Sequence, residues 1–361
     1  MERENLIEKN IFPYRDPSGM YTRIYNFPKQ ILEAWDIGEK VDISSLNRSY
    51  SNIVVVGMGG SAIGGDIIKS LGYNELPIPL LVIRDYNLPK FVNENTLLIA
   101  VSYSGDTEES LNICEEGLDR KAKVIVIGSG GKLIELAREK KITSIVIPNG
   151  FQPRAALGYT FIPLLSVLSR LGFLHINGVE IKNASSLLEK LREEELKDEV
   201  PKEGNISKKI ADKLYRHLPI IYAPNEYFGV IAYRWKCQIN ENSKAFSVWN
   251  NFPELNHNEI IGWEGRDEIL KQNVVIFLRD TKEIDRIKLR IRYMKDFISS
   301  IIEEDNIIEV WSRGETLLER FLSLIYIGDF VSFYLAIKRG VDPTPVKSIS
   351  GLKEFLGREG R

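Results

Sequence analysis

The sequence predicts an α/β protein with two doubly wound domains built on parallel sheets, a helical lead-in and a C-terminal helix. Short β-branched apolar runs alternate with segments of helical periodicity, which is typical of parallel strands joined by crossover helices. A glycine-rich turn, Gly57–Ala62, follows the first of these runs. The alternation stops in a charge-rich stretch near residues 180–205 and then starts again. The restart predicts the second domain.

The first half of the chain contains five predicted strands. Residues 52–57 form an apolar run that ends in glycines, as expected of a buried parallel strand followed by a tight turn. The other predicted strands lie at residues 80–83, 96–102, 124–127 and 145–147. Predicted helices lie between and after them, at residues 62–71, 107–121, 132–140 and 154–172.

The second half repeats this layout with different residues. Its predicted strands are 218–223, 245–249, 274–278 and 307–311, and its predicted helices are 226–240, 284–303 and 315–339. We therefore expect five parts: a helical lead-in at 1–50, a first domain at 51–175, a helical connector at 176–205, a second domain at 206–340, and a C-terminal tail and helix at 341–361 that closes the site.

Composition narrows the class of partner. The 361 residues carry 48 Lys and Arg against 50 Asp and Glu, a net charge of −2 that offers no general attraction to nucleic acid or to an anionic membrane. No apolar run approaches the roughly 20 residues that span a bilayer, and the first ten residues lack the apolar core of a signal peptide. The two cysteines, Cys114 and Cys237, form no disulfide framework. We therefore expect a cytoplasmic protein.

The turn Gly57–Ala62 has the spacing G-x-G-x-x-A and leads from a strand into a helix. Glycines let the backbone approach an anion, and a helix N-terminus offers free N–H groups and a positive dipole. A dinucleotide pyrophosphate and a sugar phosphate both suit such a turn, and close packing alone would also explain the glycines. The turn by itself does not choose among these three interpretations.

A second strand-to-helix turn favours a phosphate. Ser102, Ser104 and Thr107 place three hydroxyl groups between the third strand and its helix. Hydroxyl and N–H groups can surround a phosphate without Lys or Arg, because the helix dipole adds positive potential. The alternative is that Thr107 is only an N-cap. That alternative does not explain the two serines.

These loops resemble the two phosphate loops of the sugar isomerase (SIS) domain, a flavodoxin-like fold. Further segments resemble the bifunctional phosphoglucose/phosphomannose isomerase family in the expected order along nearly the whole chain. They are Gly150–Gly158, Gln238–Asn242, Phe252–Asn258 and Val341–Val346. The resemblance implies two SIS domains, a homodimer with shared active sites, and interconversion of fructose 6-phosphate with glucose 6-phosphate and mannose 6-phosphate.

The resemblance also implies residue roles. Gly60, Ser61, Ser102, Ser104 and Thr107 correspond to the phosphate-binding positions. The family's catalytic positions correspond to Glu241 as the base, His257, Arg154 and a C-terminal lysine. Lys353 fits the helix after the Asp342–Pro345 turn, but Lys347 lies nearby and remains an alternative.

Thr344, in the same turn, is the candidate for sugar specificity, because a short side chain leaves room for the intermediate to rotate. The alternative is that Thr344 only braces a turn between two prolines.

The chemistry suits these residue types. Aldose–ketose isomerisation through a cis-enediol needs a base, an acid/base for ring opening and positive charge near the developing oxyanion. Neither a metal nor another cofactor is expected, because the three histidines are far apart and isomerisation needs no redox partner.

Three other functions remain as alternatives: a different SIS-type phosphosugar isomerase, a non-catalytic phosphosugar sensor, and a nicotinamide-dependent oxidoreductase.

Overall fold

The computed structural model describes residues 15–265 and 267–359, apart from the side chain of Glu226. Its first sheet has five parallel strands in the order β2-β1-β3-β4-β5. The strands are β1 (Asn52–Val56), β2 (Leu80–Ile83), β3 (Thr96–Val101), β4 (Lys123–Gly128) and β5 (Thr143–Val146). This is the flavodoxin-like order, which opens a ligand crevice where the order reverses, at the carboxyl ends of β1 and β3.

Helices cover both faces of this sheet, which explains why all six residues of β3 are buried. Two helices precede it, α1 (Met20–Tyr25) and α2 (Phe27–Glu39), so the predicted lead-in is helical where it is described; its first 14 residues lie outside the described part. The crossover and flanking helices are α3 (Ile63–Leu71), α4 (Glu108–Asp119), α5 (Gly131–Glu139) and α6 (Leu157–Arg170).

The predicted connector contains one regular helix, α7 (Gly178–Leu191). It begins at a capping box in which the side chain of Asn177 accepts from the N–H groups of Val179 and Glu180. A π-helical turn at Arg192–Leu196 follows, and α8 (Ile206–Leu214) starts the second half. The charge-rich stretch is thus partly buried, since α7 packs Ile181, Leu188 and other apolar side chains inward.

The second sheet has four parallel strands in the order β7-β6-β8-β9. They are β6 (Leu218–Ala223), β7 (Val248–Asn251), β8 (Asn273–Arg279) and β9 (Ile307–Trp311). The helices are α9 (Glu226–Ser243), the short α10 (Glu259–Gly262), α11 (Asp285–Ser299), α12 (Leu317–Arg339) and α13 (Lys347–Glu359).

The predicted strand at 245–249 is displaced in the structure. Pairing with β6 begins only at Val248, opposite Ile220. The Ser247 hydroxyl donates to the Lys236 carbonyl at 3.2 Å and bonds the Asn240 side chain at 2.9 Å, which holds the preceding residues against α9.

Helix α12 corrects the expectation that no segment is apolar enough to cross a membrane. By length and composition this 23-residue helix passes that test, with a mean hydropathy of 1.5, but 94% of its most apolar window is buried inside the protein. It packs against α9 and α8. We interpret it as the central core helix of the second half.

One hydrophobic cluster contains side chains from both sheets, for example Ile53 and Leu97 of the first and Ile221 and Val274 of the second. The two sheets are therefore parts of one continuous interior. The domain boundaries given above stay a prediction.

Candidate active site

The first glycine loop lies directly after β1. Its residues Gly59–Ser61 form a 3₁₀ turn, and the buried hydroxyl of Ser61 accepts a hydrogen bond from the Tyr103 N–H at 3.1 Å. Gly60 is required by close approach, because a Cβ there would lie 2.8 Å from the backbone nitrogen of Arg154. The first loop therefore contacts both Tyr103 of the second loop and the backbone of Arg154.

The second loop lies after β3. The Ser102 hydroxyl donates to the Thr107 hydroxyl at 2.9 Å and accepts from the Gly105 N–H at 3.1 Å. Ser104 is exposed, and its hydroxyl accepts from the Asp106 N–H at 3.3 Å. Gly105 has φ +79°, and a Cβ there would overlap the Gly130 carbonyl oxygen. The backbone is thus folded tightly around the hydroxyl groups.

Thr107 is the N-cap residue of α4, but its side chain makes no capping hydrogen bond to the helix. The alternative that the Thr107 hydroxyl only caps the helix is therefore wrong. Helix α3, which follows the first loop, likewise starts without a side-chain cap. Both helices keep N-terminal N–H groups that no side-chain cap satisfies, as an anion site needs.

Arg154 is the buried centre of the site, with only 3% of its surface exposed. It lies in a 3₁₀ turn, Pro153–Ala155, before the long helix rather than inside it. Its guanidinium donates to the Asn242 side chain at 2.6 Å, to the Pro343 and Thr344 carbonyls at 2.7 and 2.8 Å, and to Glu241 at 3.3 Å. Burial lowers the pKa of Arg154 from its usual value, and Glu241 opposes that shift.

Glu241 lies in the last turn of α9, whereas the sequence predicted that the helix ends before it. Hydrogen bonds to α12 extend the helix: the Asn242 side chain donates to the Ser332 hydroxyl at 2.9 Å, and the Ser243 hydroxyl to the Ser332 carbonyl at 2.6 Å. About a third of the Glu241 side chain (29%) is exposed. Its carboxylate thus faces both Arg154 and solvent.

Lys244 is the residue that sequence reasoning missed. Its ammonium donates to the carbonyls of Asp342 (2.7 Å), Glu241 (2.9 Å) and Pro343 (3.0 Å). Burial, together with the charge of Arg154, lowers its pKa to about 8. The available signal was a lysine directly after the helix that carries the candidate base Glu241, since cations bind the last carbonyls of helices.

Glu241 and Lys244 line a cavity of about 700 Å³. The opposite wall is formed by the turn at Val341–Asp342 and by residues 345–349, which lead into the first turn of α13. Lys347 belongs to this wall, whereas Lys353 lies further along α13, is exposed and is not part of the wall.

Thr344 lies beside the cavity. Its N–H donates to the Asp342 side chain at 2.9 Å, which is the turn-bracing contact. Its hydroxyl is buried and has no hydrogen-bond partner among the described residues.

His257 is not brought to this cluster. It is exposed and ends the 3₁₀ turn Glu254–His257 after β7. Across residues 15–265 and 267–359, no hydrogen bond or ion pair joins it to Arg154 or Glu241. In the same part of the chain no group of three His, Cys, Asp or Glu side chains is placed to hold a metal ion.

Comparisons with known proteins extend these observations. Residues 203–356 match the family described as the bacterial phospho-glucose isomerase C-terminal SIS domain. The chain is 43% identical over 337 residues to a bifunctional phosphoglucose/phosphomannose isomerase of Caldicellulosiruptor bescii, covering 93% of this chain and 98% of that protein. It is 37% identical over 318 residues to the Aquifex aeolicus protein of the same description, covering 87% and 93%.

A solved structure supports the fold. The tagatose-6-phosphate ketose/aldose isomerase of Escherichia coli superposes with a TM-score of 0.70 at 13% identity, covering 90% of this chain and 94% of that one. The similarity in sequence to the two curated relatives spans nearly their whole length. The chain therefore belongs to the bifunctional phosphoglucose/phosphomannose isomerase family.

Proposed function

We propose that this protein is an aldose–ketose isomerase that interconverts glucose 6-phosphate and mannose 6-phosphate with fructose 6-phosphate through a cis-enediol. The observation that carries the proposal is the buried Arg154, which touches the first glycine loop and lies 3.3 Å from the Glu241 carboxylate. The first glycine loop, a buried cation and a candidate base are thus neighbours in the structure. Neither a metal nor a redox cofactor takes part.

The substrate phosphate binds between the two loops of the first sheet. Gly60 and Ser61 contribute from the first loop, and Ser102, Ser104 and Thr107 from the second. The uncapped starts of α3 and α4 support this assignment, since their N–H groups and dipoles favour a dianion.

Glu241 is the base that moves the proton between carbon 2 and carbon 1. Arg154 stabilises the negative charge of the enediolate, and it is always protonated because a guanidinium keeps its proton at any physiological pH. Its four hydrogen bonds hold the cation in place before the charge develops, so little reorganisation is needed.

Ring opening needs an acid/base group, and His257 is the candidate because histidine most often fills that role in enzymes. Its exposed position away from Arg154 supports a homodimer in which each site receives His257 of the partner subunit. A C-terminal lysine completes the site. Lys353 was the first choice from the sequence, and the cavity wall favours Lys347.

The proposal places the protein in the cytoplasm, where hexose phosphates are metabolised, with small sugar phosphates as its ligands. Neither nucleic acid nor membrane belongs to this function.

Product identification tests the proposal. The purified protein, treated with EDTA, is incubated with fructose 6-phosphate, and the sugar phosphates are separated. Both glucose 6-phosphate and mannose 6-phosphate should form. Absence of both products, or activity only after addition of metal or a nicotinamide cofactor, would reject the proposal.

Subunit complementation tests the shared site. Glu241→Gln and His257→Ala homodimers should each be nearly inactive, and mixing them should restore activity, because some heterodimers then have one intact site. If labelled chains exchange and activity does not return, each chain holds its own complete site.

A further inference from the structure

Arg154 is held from two directions by residues of the buried helices α9 and α12. The first connection runs through its side chain. Its Nε donates to Asn242 at 2.6 Å, Asn242 donates to the Ser332 hydroxyl at 2.9 Å, and that hydroxyl donates to the Asp329 carbonyl at 2.8 Å. A rotation of the Asn242 amide would break both of its hydrogen bonds, so Ser332 fixes the acceptor that Arg154 uses.

The second connection runs through the backbone. Arg234 donates from Nη2 to the Arg154 carbonyl at 3.1 Å and to both Asp329 carboxylate oxygens at 2.9 and 2.8 Å. Gln238 donates to the same carboxylate at 2.8 Å. The carboxylate of Asp329 therefore fixes the guanidinium that holds the backbone of Arg154.

These groups are almost fully buried, with Arg234 at 3% and Asp329 at 4% exposure. The Nε of Arg234 has no hydrogen-bond partner among the described residues, so this ion pair leaves one buried N–H group without an acceptor. Buried ion pairs are weak evidence for stability, because well-packed apolar side chains of similar volume often stabilise as well or better. A geometric task at the site is a better explanation for retaining this pair.

We infer that Asp329 and Ser332 are positioning residues for Arg154. Asp329 acts through Arg234, and Ser332 acts through Asn242. The inference rests on the proposed function, in which the Arg154 cation faces the developing enediolate. A displacement of about 1 Å of such a group costs on the order of 100-fold in rate.

The same helix α12 offers a matched control. Arg320 bonds Asp280 at 2.7 Å, and the pair is buried to a similar degree, with 7% and 5% exposure. Asp280 directly follows β8, and neither residue of the pair makes a hydrogen bond or ion pair to Arg154 in the described part of the chain. Asp280→Asn therefore removes an equivalent buried charge away from the site.

The test compares Asp329→Asn with Asp280→Asn. Both should lower the melting temperature, and only Asp329→Asn should lower kcat, by about tenfold or more. Ser332→Ala provides a milder variant if Asp329→Asn fails to fold, with an expected kcat loss of about threefold or more. Losses of kcat that are equal for Asp329→Asn and Asp280→Asn would overturn the inference, as would an unchanged kcat in Ser332→Ala.

A double-mutant cycle with Arg154→Lys separates positioning from general destabilisation. In the Arg154→Lys background, Asp329→Asn should lower kcat little further, because the guanidinium group that Asp329 helps to position is no longer present. Fully additive losses would overturn the inference. Failure of the wild type to isomerise fructose 6-phosphate would instead reject the proposed function, so the two failures are distinguishable.

Discussion

The two sheets share one strand order but differ at the turns that follow equivalent strands. After β3, the first sheet presents Ser102 and Ser104 beside an uncapped helix. After β8, which occupies the same place in the second sheet, the protein fills the turn with its own carboxylate. Glu283 accepts from Arg279 at 2.7 and 2.8 Å and from the Asp280 N–H at 2.8 Å.

The turns after the central strands β1 and β6 differ in the same way. The glycine loop after β1 leads into α3 without a side-chain cap, whereas the Asn225 side chain after β6 accepts from the Phe228 N–H at 3.1 Å. In the second half a carboxylate or an amide side chain accepts N–H groups of these turns, whereas the first half uses neutral serine hydroxyls and leaves the starts of α3 and α4 without a side-chain cap. This difference supports the proposal that the substrate phosphate binds at the first sheet and that Glu241, in the last turn of α9, supplies the base.

The largest expected effect concerns the contribution of the second half. Glu241→Gln keeps the size of the side chain and removes its basicity, so kcat should fall by roughly two orders of magnitude or more. Affinity for the phosphosugar should change little, because the proposed phosphate contacts lie on the first sheet. Steady-state kinetics checks this, and near-normal turnover would remove Glu241 from the mechanism.

The next effect concerns the open turn of the first half. Ser104→Asp places a carboxylate at an exposed position in the second loop, as Glu283 does in the second sheet. Repulsion of the phosphate dianion should raise KM by about tenfold or more.

Glu283→Gln is the matched control. It removes the internal carboxylate of the second sheet and should lower the melting temperature while KM stays within about twofold, because the proposed phosphate site lies on the first sheet. An equal rise of KM in both variants would contradict the proposal that the phosphate binds at the turn after β3 and not at the turn after β8.

A smaller effect is expected in the turn between α12 and α13, which contains Thr344. Thr344→Gln fills the space beside the unpartnered hydroxyl and should reduce conversion of mannose 6-phosphate several-fold, roughly 1 kcal/mol, more than that of glucose 6-phosphate. Thr344→Ser keeps the hydroxyl and should retain the wild-type ratio. Equal losses of both activities in Thr344→Gln would favour the turn-bracing role, for which the Asp342 contact is the evidence.

The smallest effect is a change of pH profile. The folded protein lowers the pKa of Lys244 to about 8, so between that pH and the ordinary lysine pKa of 10.5 the unfolded chain holds a proton that the folded chain has released. Stability from this group therefore rises with pH across that window. Activity should move the other way, because the neutral amine has two donors where the ammonium has three.

The kinetic consequence is an alkaline decline of kcat near pH 8 in the wild type. Lys244→Arg stays charged above that pH and should lack this decline. An identical decline in both proteins would assign it to another group.

The sequence sufficed for the elements whose signals are local. Glycines and apolar runs predicted β1 and the loop after it, and all four residues of the strand Leu80–Ile83. The turn of Ser102 and Thr107 was predicted for the same reason. The family resemblance predicted the candidate site residues, and the structure brings three of them, Ser61, Arg154 and Glu241, into one region.

The rest depends on partners distant in the sequence. Helix α9 extends through Glu241 because Asn242 and Ser243 bond to Ser332, about 90 positions later. The acceptors of Arg154 include the Pro343 carbonyl, which lies 189 positions away. No local pattern specifies such contacts, and for the same reason Lys244 was not singled out.

The assignment of the phosphate site to the first sheet is tested most directly by calorimetric titration. Glucose 6-phosphate is titrated into three proteins that lack the proposed base. These are Glu241→Gln alone, Glu241→Gln with Ser104→Asp, and Glu241→Gln with Glu283→Gln. We predict that the Ser104→Asp change weakens binding by about tenfold or more and that the Glu283→Gln change leaves Kd within about twofold. Equal weakening by both changes, or weakening by Glu283→Gln alone, would contradict the assignment of the phosphate site to the first sheet.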